Sequence, residues 1–346
     1  MSGVAARSRE LDAVRGIAAS MVVLFHYTTR YGELYGDQSA PFHLAQGFYG
    51  VHVFFGVSGF VILMTLERCR TPWDFVRARA LRLYPAYWAA VPLTFAVMLA
   101  FPMPGRVLTW QQGLVNLTML QTFVNVPHVD GAYWSLEIEL VFYAWMLAIF
   151  AAGWLRHARW LIALWLASSI AIHLAALLLH RSVPTLADRY LLVEFNAFFS
   201  IGAAAYLDFG AARIARTTWG LFALAMAAAW FSAGPQGLVV AAAMVLLFSL
   251  IVVRRAGRLN TRPLVFLGTI SYPLYLFHQN IGYAIIQQVR LHGVAYGWAL
   301  AAAIAVSLGA ATLLTYGVER PVQRLVRARR ERQRDGQQAV GAIGRS

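Results

Sequence analysis

Lysine is absent from this chain of 346 residues, and cysteine occurs once, at Cys69. A single thiol excludes an internal disulfide and a cysteine-built metal cluster. With no lysine, all 29 basic residues are arginines, a bias that a GC-rich coding sequence explains most simply. Acidic residues are few, 15 in all, which leaves a formal charge of +14. That charge would suit a nucleic-acid partner only if the arginines gathered on one water-facing surface; here they are distributed by topology instead. Charged residues make up 13% of the chain and hydrophobic ones 60%, a balance outside that of soluble domains. The opening MSGVAARSRELD lacks the short apolar core and small-residue cleavage site of a signal peptide, so the run from Leu11 is expected to be retained as a first span. Internal repeats, low-complexity blocks and a second soluble domain are also missing.

What is present is a series of apolar runs near the 20 residues that cross about 30 Å of hydrocarbon. They fall at 12–30, 48–66, 83–101, 132–153, 160–179, 190–207, 218–233, 237–253, 264–286 and 295–318. The expected fold class is therefore an all-α polytopic membrane protein of about ten transmembrane helices. With both termini cytoplasmic, the inside segments collect the cluster Arg68, Arg70, Arg77, Arg79 and Arg82 and most other arginines. Only Arg30, Arg106, Arg181, Arg189 and Arg290 fall outside, as the positive-inside rule requires. Residues 1–321 read as the transmembrane domain, and 322–346 as a basic, disordered cytoplasmic tail attracted to anionic headgroups. Two outer loops are long, 31–47 and 102–131, and the second has an apolar middle that suits an interfacial or re-entrant helix.

The stretch Leu11–Tyr27 carries Asp12 and Arg15 at one end and His26 near the other. At 100° per residue, Arg15 and His26 share one helix face about 16 Å apart. Such a stripe is costly against lipid, so it is expected to face the bundle interior. Depth along the other spans places His52, Glu137, Glu139, Glu194 and His278 in the outer layer with His26. Each alone could be a structural polar group joining helices. Together they offer the imidazole and carboxylate that base catalysis on a hydroxyl requires. On the cytoplasmic side Arg79 and Arg82 are spaced to fork around phosphate oxygens, unless they serve only as positive-inside anchors. The small residues of GVSGF read as close helix packing, and Pro273 as a kink beside His278. No metal ligand set is evident.

Six ordered segments resemble bacterial integral-membrane acyltransferase family 3: LDAVRGIAASMVVLFHY, GVHVFFGVSGFVI, RARALRLYPAYW, YWSLEIE, LGTISYPLYLFH and YGVERP. The resemblance runs from residue 11 to about 321 and implies a ten-helix enzyme of the bacterial inner membrane. Such an enzyme takes an acyl group, usually acetyl, from cytoplasmic acyl-CoA and passes it to a hydroxyl of a glycan. By motif it implies His26 as the catalytic histidine, Arg15 as its partner, Arg79 and Arg82 as contacts to the CoA phosphates, and Glu139 as the motif carboxylate. Position 52 is His where the family often has Asp; some relatives carry a soluble esterase-like domain after the helices, and this chain is expected to complete transfer without one or hand over to a separate partner.

The expected mechanism is O-acyl transfer with acetyl-CoA as donor substrate and no tightly bound cofactor. His26 acts as general base, and Glu139 orients it or favours the imidazolium. Arg15 is a candidate for stabilising the oxyanion, and an acyl-His intermediate is an alternative route. His52, Glu137, Glu194, His278 and Asp12 are expected to support the site or bind substrate. Expected partners are acyl-CoA, a glycan or glycolipid acceptor, membrane lipids and a separate export or transfer protein. The rival reading is a proton-coupled transporter or flippase using the His/Glu layer, although the two related halves common in transporters are not seen.

Overall fold

A computed structural model describes residues 9–105, 108–326 and 328, and among these the chain is helical throughout, with turns and no β-strand. The helices are α1 (Arg9–Phe25), α2 (Tyr31–Tyr35), α3 (Gly50–Leu66), α4 (Pro72–Ala100), α5 (Trp110–Asn116), α6 (Trp134–Ala151), α7 (Ala158–Leu178), α8 (Thr185–Leu191), α9 (Asn196–Phe209), α10 (Arg216–Val252), α11 (Arg262–Leu291) and α12 (Tyr296–Leu314). Among the described residues, seven helical stretches are long and apolar enough to cross a membrane, from Ala45–Leu66 to Tyr296–Val326. The most polar interior helices, α1 and α11, are not among the seven. The 17-residue α1 begins with Arg9, Glu10, Asp12 and Arg15, and the 30-residue α11 carries His278, Gln279 and Asn280 in a buried run.

Backbone contact holds these two helices together. A Cβ on Gly268 of α11 would lie 1.7 Å from the Asp12 carbonyl, and one on Gly16 of α1 would lie 2.6 Å from the Leu264 carbonyl. On its other side α1 meets α3, where a Cβ on Gly50 would lie 2.5 Å from the Ala18 carbonyl. The small residues of GVSGF join α3 to α9: Gly59 abuts the Phe199 carbonyl and Gly202 abuts that of Gly56. Close approach of this kind maximises dispersion contact where no hydrophobic effect drives helices together.

Local chemistry sets the boundaries. Thr71 and Asp74 form a capping box with Pro72 in the first turn, so α4 begins well before the expected span at 83 and takes Arg79 and Arg82 into its helical length. The segment after α4 turns back alongside it, as a re-entrant piece would. Tyr84, Tyr87 and Trp88 donate to the carbonyls of Thr118, Asn116 and Leu117. Buried Asn116 in turn bonds Pro127 O and the Val129 N–H, which satisfies irregular backbone at that depth. In α10 the left-handed Gly234 (φ 61°), followed by Pro235, reverses the chain. Ala229 and Gly237 then touch, which a continuous helix rising about 1.5 Å per residue forbids; a Gly237 Cβ would lie 2.3 Å from the Ala229 carbonyl. That hairpin separates the expected runs 218–233 and 237–253. The run 190–207 is interrupted at Leu192 (φ 53°), with Glu194 in the turn that follows. Residues 322–326 continue the last helix; apart from 328, the rest of the tail expected to be disordered lies outside the described residues, as does Arg106.

Candidate active site

Two groups of polar residues face the interior, one above the other along α1. The lower group lines a cavity of about 110 Å³ with Arg15 from α1, Phe54 and Ser58 from α3, Arg79 and Arg82 from α4, Ser135, Glu139 and Tyr143 from α6, and Tyr272 and Tyr275 from α11. The four-residue spacing of Ser135, Glu139 and Tyr143 puts all three on one face of α6. Glu139 Oε1 accepts hydrogen bonds from Ser58 Oγ and the Tyr143 hydroxyl, each at 2.5 Å. Arg79 donates to Thr65 Oγ1 at 3.1 Å and lies 5.7 Å from the Tyr143 ring, while its buried Nε has no partner. Arg82 forms an ion pair with Glu319 and sits over the Tyr272 ring at 5.1 Å. Glu319 ends a π-helical turn, Thr315–Glu319, and also accepts from Gln323 Nε2 at 3.1 Å. Arg15 lies 3.9 Å from Asp12.

The upper group is a histidine pair. α1 passes at His26 into a π-helical turn, His26–Arg30, a local widening frequent at functional sites. His278 Nε2 is 3.2 Å from His26 Nδ1, with the rings edge-on at 4.7 Å between centroids. Surrounding acceptors assign the protons. His278 Nδ1 faces the Tyr275 carbonyl at 2.8 Å and so carries hydrogen, which leaves its Nε2 to accept. His26 Nδ1 faces that Nε2 and the Val22 carbonyl at 2.8 Å, so it donates, and the basic lone pair of His26 resides on Nε2. Tyr27 anchors the pair from below, its hydroxyl donating to the His278 carbonyl at 2.6 Å and meeting Ser307 Oγ at 2.7 Å.

The remaining expected residues do not join this pair. Glu137, two positions from Glu139, points to the other side of α6, where it accepts from the Thr122 N–H at 2.9 Å and lies 3.9 Å from His128 Nε2. Burial pulls the His128 pKa below its ordinary value, and Glu137 opposes that shift. His52 is enclosed by Phe48, Tyr49, Phe55, Phe195 and Phe198, with no hydrogen-bond partner for its Nδ1. Glu194 is exposed in the turn before α9. The expected outer layer thus resolves into the His26–His278 pair and three separate environments, and Glu139 belongs with the arginines below. Equal depth on different helices does not imply facing side chains. Glu319, Tyr143, Ser135 and Tyr275 carried no signal of their own, although Glu319 lies in YGVERP, Ser135 and Tyr143 share the helical spacing of Glu139 on α6, and Tyr275 lies three residues before His278 on α11. Among the described residues no group of three potential metal ligands comes together.

The family model described as "Acyltransferase domain" matches residues 8–316. The chain belongs to acyltransferase family 3. Its relatives include the exopolysaccharide production protein ExoZ of Rhizobium meliloti (strain 1021), 26% identical over 89% of this chain and 96% of the relative. The putative membrane-bound transacylase BcsY of Komagataeibacter xylinus is 30% identical over 87% of this chain and 80% of its own. No solved structure matches. An acyl-transferring enzyme thereby takes the place of the transporter reading.

Proposed function

We propose that the protein transfers an acyl group, acetyl in the simplest case, from cytoplasmic acyl-CoA to a hydroxyl of an extracytoplasmic polysaccharide or its lipid-linked precursor. The observation that carries this reading is the cavity itself. Its lower end holds Arg79 and Arg82, and its upper end is closed by Tyr275, whose ring lies 5.5 Å from that of His278. The phosphates of CoA would meet the guanidinium groups, with the unpartnered Arg79 Nε supplying one waiting donor. The pantetheine arm would rise past Arg15 and Glu139. His26 Nε2 then takes the proton of the acceptor hydroxyl, and the oxygen attacks the thioester carbonyl carbon. The C–S bond breaks, and the departing CoA thiolate recovers the proton from the imidazolium. The match to an exopolysaccharide production protein favours a polysaccharide acceptor.

The same reading takes α1, α11 and both arms of the α10 hairpin as crossings, giving ten helices with both termini on the cytoplasmic side of the inner membrane. Exposed tryptophans support it. Trp73, Trp160 and Trp219 sit near the cytoplasmic starts of α4, α7 and α10, and Trp110, Trp230 and Trp298 lie toward the outer ends, as in two interfacial girdles.

The test is transfer of label from radiolabelled acetyl-CoA to polysaccharide in membranes from cells with and without the protein. Label should appear only with the wild-type chain and be lost with His26→Ala and Arg15→Ala at equal membrane abundance. Undiminished labelling by His26→Ala would remove the base from the mechanism.

A further inference from the structure

At the upper end of the cavity, between the arginines and the histidine pair, stands a second polar device. Ser135 Oγ and the Tyr275 hydroxyl are 2.6 Å apart, and both residues line the cavity. They join α6 to α11. On α6, Ser135 lies two helical turns from Tyr143, about 12 Å, and Tyr143 is the residue on which Arg79 stacks. A donor whose phosphates sit at Arg79 therefore brings its thioester to the level of Ser135 after a span that a pantetheine arm covers. Phe54, 5.7 Å from the Tyr275 ring, walls the same end with apolar surface.

The protons of this pair are informative. Two hydroxyl hydrogens are present and one fixed carbonyl acceptor, that of Ala132, lies 2.9 Å from the Tyr275 oxygen and 3.4 Å from Ser135 Oγ. One hydrogen satisfies Ala132; the other has only the partner hydroxyl to receive it. That second hydrogen can turn to a ligand oxygen without leaving a buried donor unpaired, an exchange that costs little. We propose that Ser135 and Tyr275 form the subsite for the thioester carbonyl of the acyl donor, placing its carbon beside the histidine pair and donating a hydrogen bond to the oxygen as it gains charge. During attack the carbonyl π-electron pair moves onto that oxygen and returns when the C–S bond breaks, so the hydroxyl pair stabilises charge without giving up a proton. Arg15 is left to the lower chamber with Asp12. The proposal rests on the reading that acyl-CoA occupies the cavity.

Binding of unreactive analogues to purified protein in nanodiscs tests it without any acceptor. The probes are acetyl-dethia-CoA, which keeps the carbonyl but replaces the sulfur by CH₂, S-ethyl-CoA, which lacks the carbonyl, and CoA itself. The wild type should bind the ketone about three- to tenfold more tightly than the thioether. Ser135→Ala and Tyr275→Phe should erase that preference while binding CoA normally, and His26→Ala should retain it. The Ser135→Ala variant keeps the measurement meaningful if Tyr275→Phe fails to fold. In transfer assays both variants should lose about 10²-fold in kcat, with KM for acetyl-CoA rising by no more than the ground-state binding lost, about three- to tenfold. A ketone preference that survives both substitutions, or that the wild type lacks, overturns the subsite. If CoA itself fails to bind, the donor reading falls and the subsite with it.

Discussion

The two chambers along α1 differ in how they handle charge. Below, Arg15, Arg79, Arg82 and Glu139 line a cavity, where Arg82 pairs with Glu319, Glu139 accepts from two hydroxyls and Arg79 donates to one. Above, two imidazoles meet a tyrosine and backbone carbonyls, with His278 fully buried. A polar hollow suits a highly charged ligand that must leave again after each turnover. On the proposed mechanism the buried imidazole pair is where the acceptor's proton is moved. In that mechanism α1, which carries both an arginine and a histidine in register, spans the distance between binding the donor's nucleotide and moving a proton.

The sharpest way to break the arrangement is to separate the helices that both chambers share. Gly268→Val places side-chain atoms inside the Asp12 backbone, which lies 1.7 Å from the position of a Cβ. It should prevent accumulation of folded protein, seen as loss of the monodisperse peak in detergent chromatography. Next in size, His26→Ala should cut transfer by at least about 10²-fold, the lower range for a positioned base, with the elution profile unchanged. A combined Arg79→Ala, Arg82→Ala variant should raise KM for acetyl-CoA by about 10- to 100-fold, as loss of charge-assisted contacts predicts, with a smaller effect on kcat. His278→Asn disturbs only the proton assignment on His26, and a loss of about tenfold in kcat with a shifted pH profile is expected. Glu137→Gln should change transfer less than twofold because Glu137 serves the outer loop; a large loss would draw the boundary of the upper chamber wider.

One outer contact gives a pH signature. Asp37 meets Arg290 at 2.9 Å and Ser39, and although burial alone would raise its pKa, these hydrogen bonds hold it below the ordinary value. The contribution of this latch is present above the unfolded Asp pKa of about 3.9 and is lost as pH falls through the lower folded value. Proteolysis of loop 31–47 should accelerate only in strong acid, and Asp37→Asn should remove that dependence.

Much of this was legible in the sequence because membranes impose simple rules. Helical period placed Arg15 and His26 on one face, and long apolar runs marked most of the helices. The spacing of Arg79 and Arg82 set both on one helix face, and the fold turns that face to the cavity. What periodicity cannot supply is rotation of one helix against another. Glu139 and Glu137 share a depth but face opposite sides of α6, and His52 shares that depth inside an aromatic cage. The Arg82–Glu319 pair joins residues 237 positions apart, a separation over which no local pattern speaks. Serine and tyrosine are too common for Ser135 and Tyr275 to stand out until the fold sets them 2.6 Å apart. The gap left between the runs 218–233 and 237–253 is where the fold turns, at Gly234 and Pro235.

The central claim is that binding and proton transfer are housed separately on α1. The affinity of purified His26→Ala protein for CoA tests this most directly. The account predicts a dissociation constant within about twofold of the wild type alongside abolished transfer, whereas affinity lost together with activity would place His26 in the donor site and merge the two chambers into one.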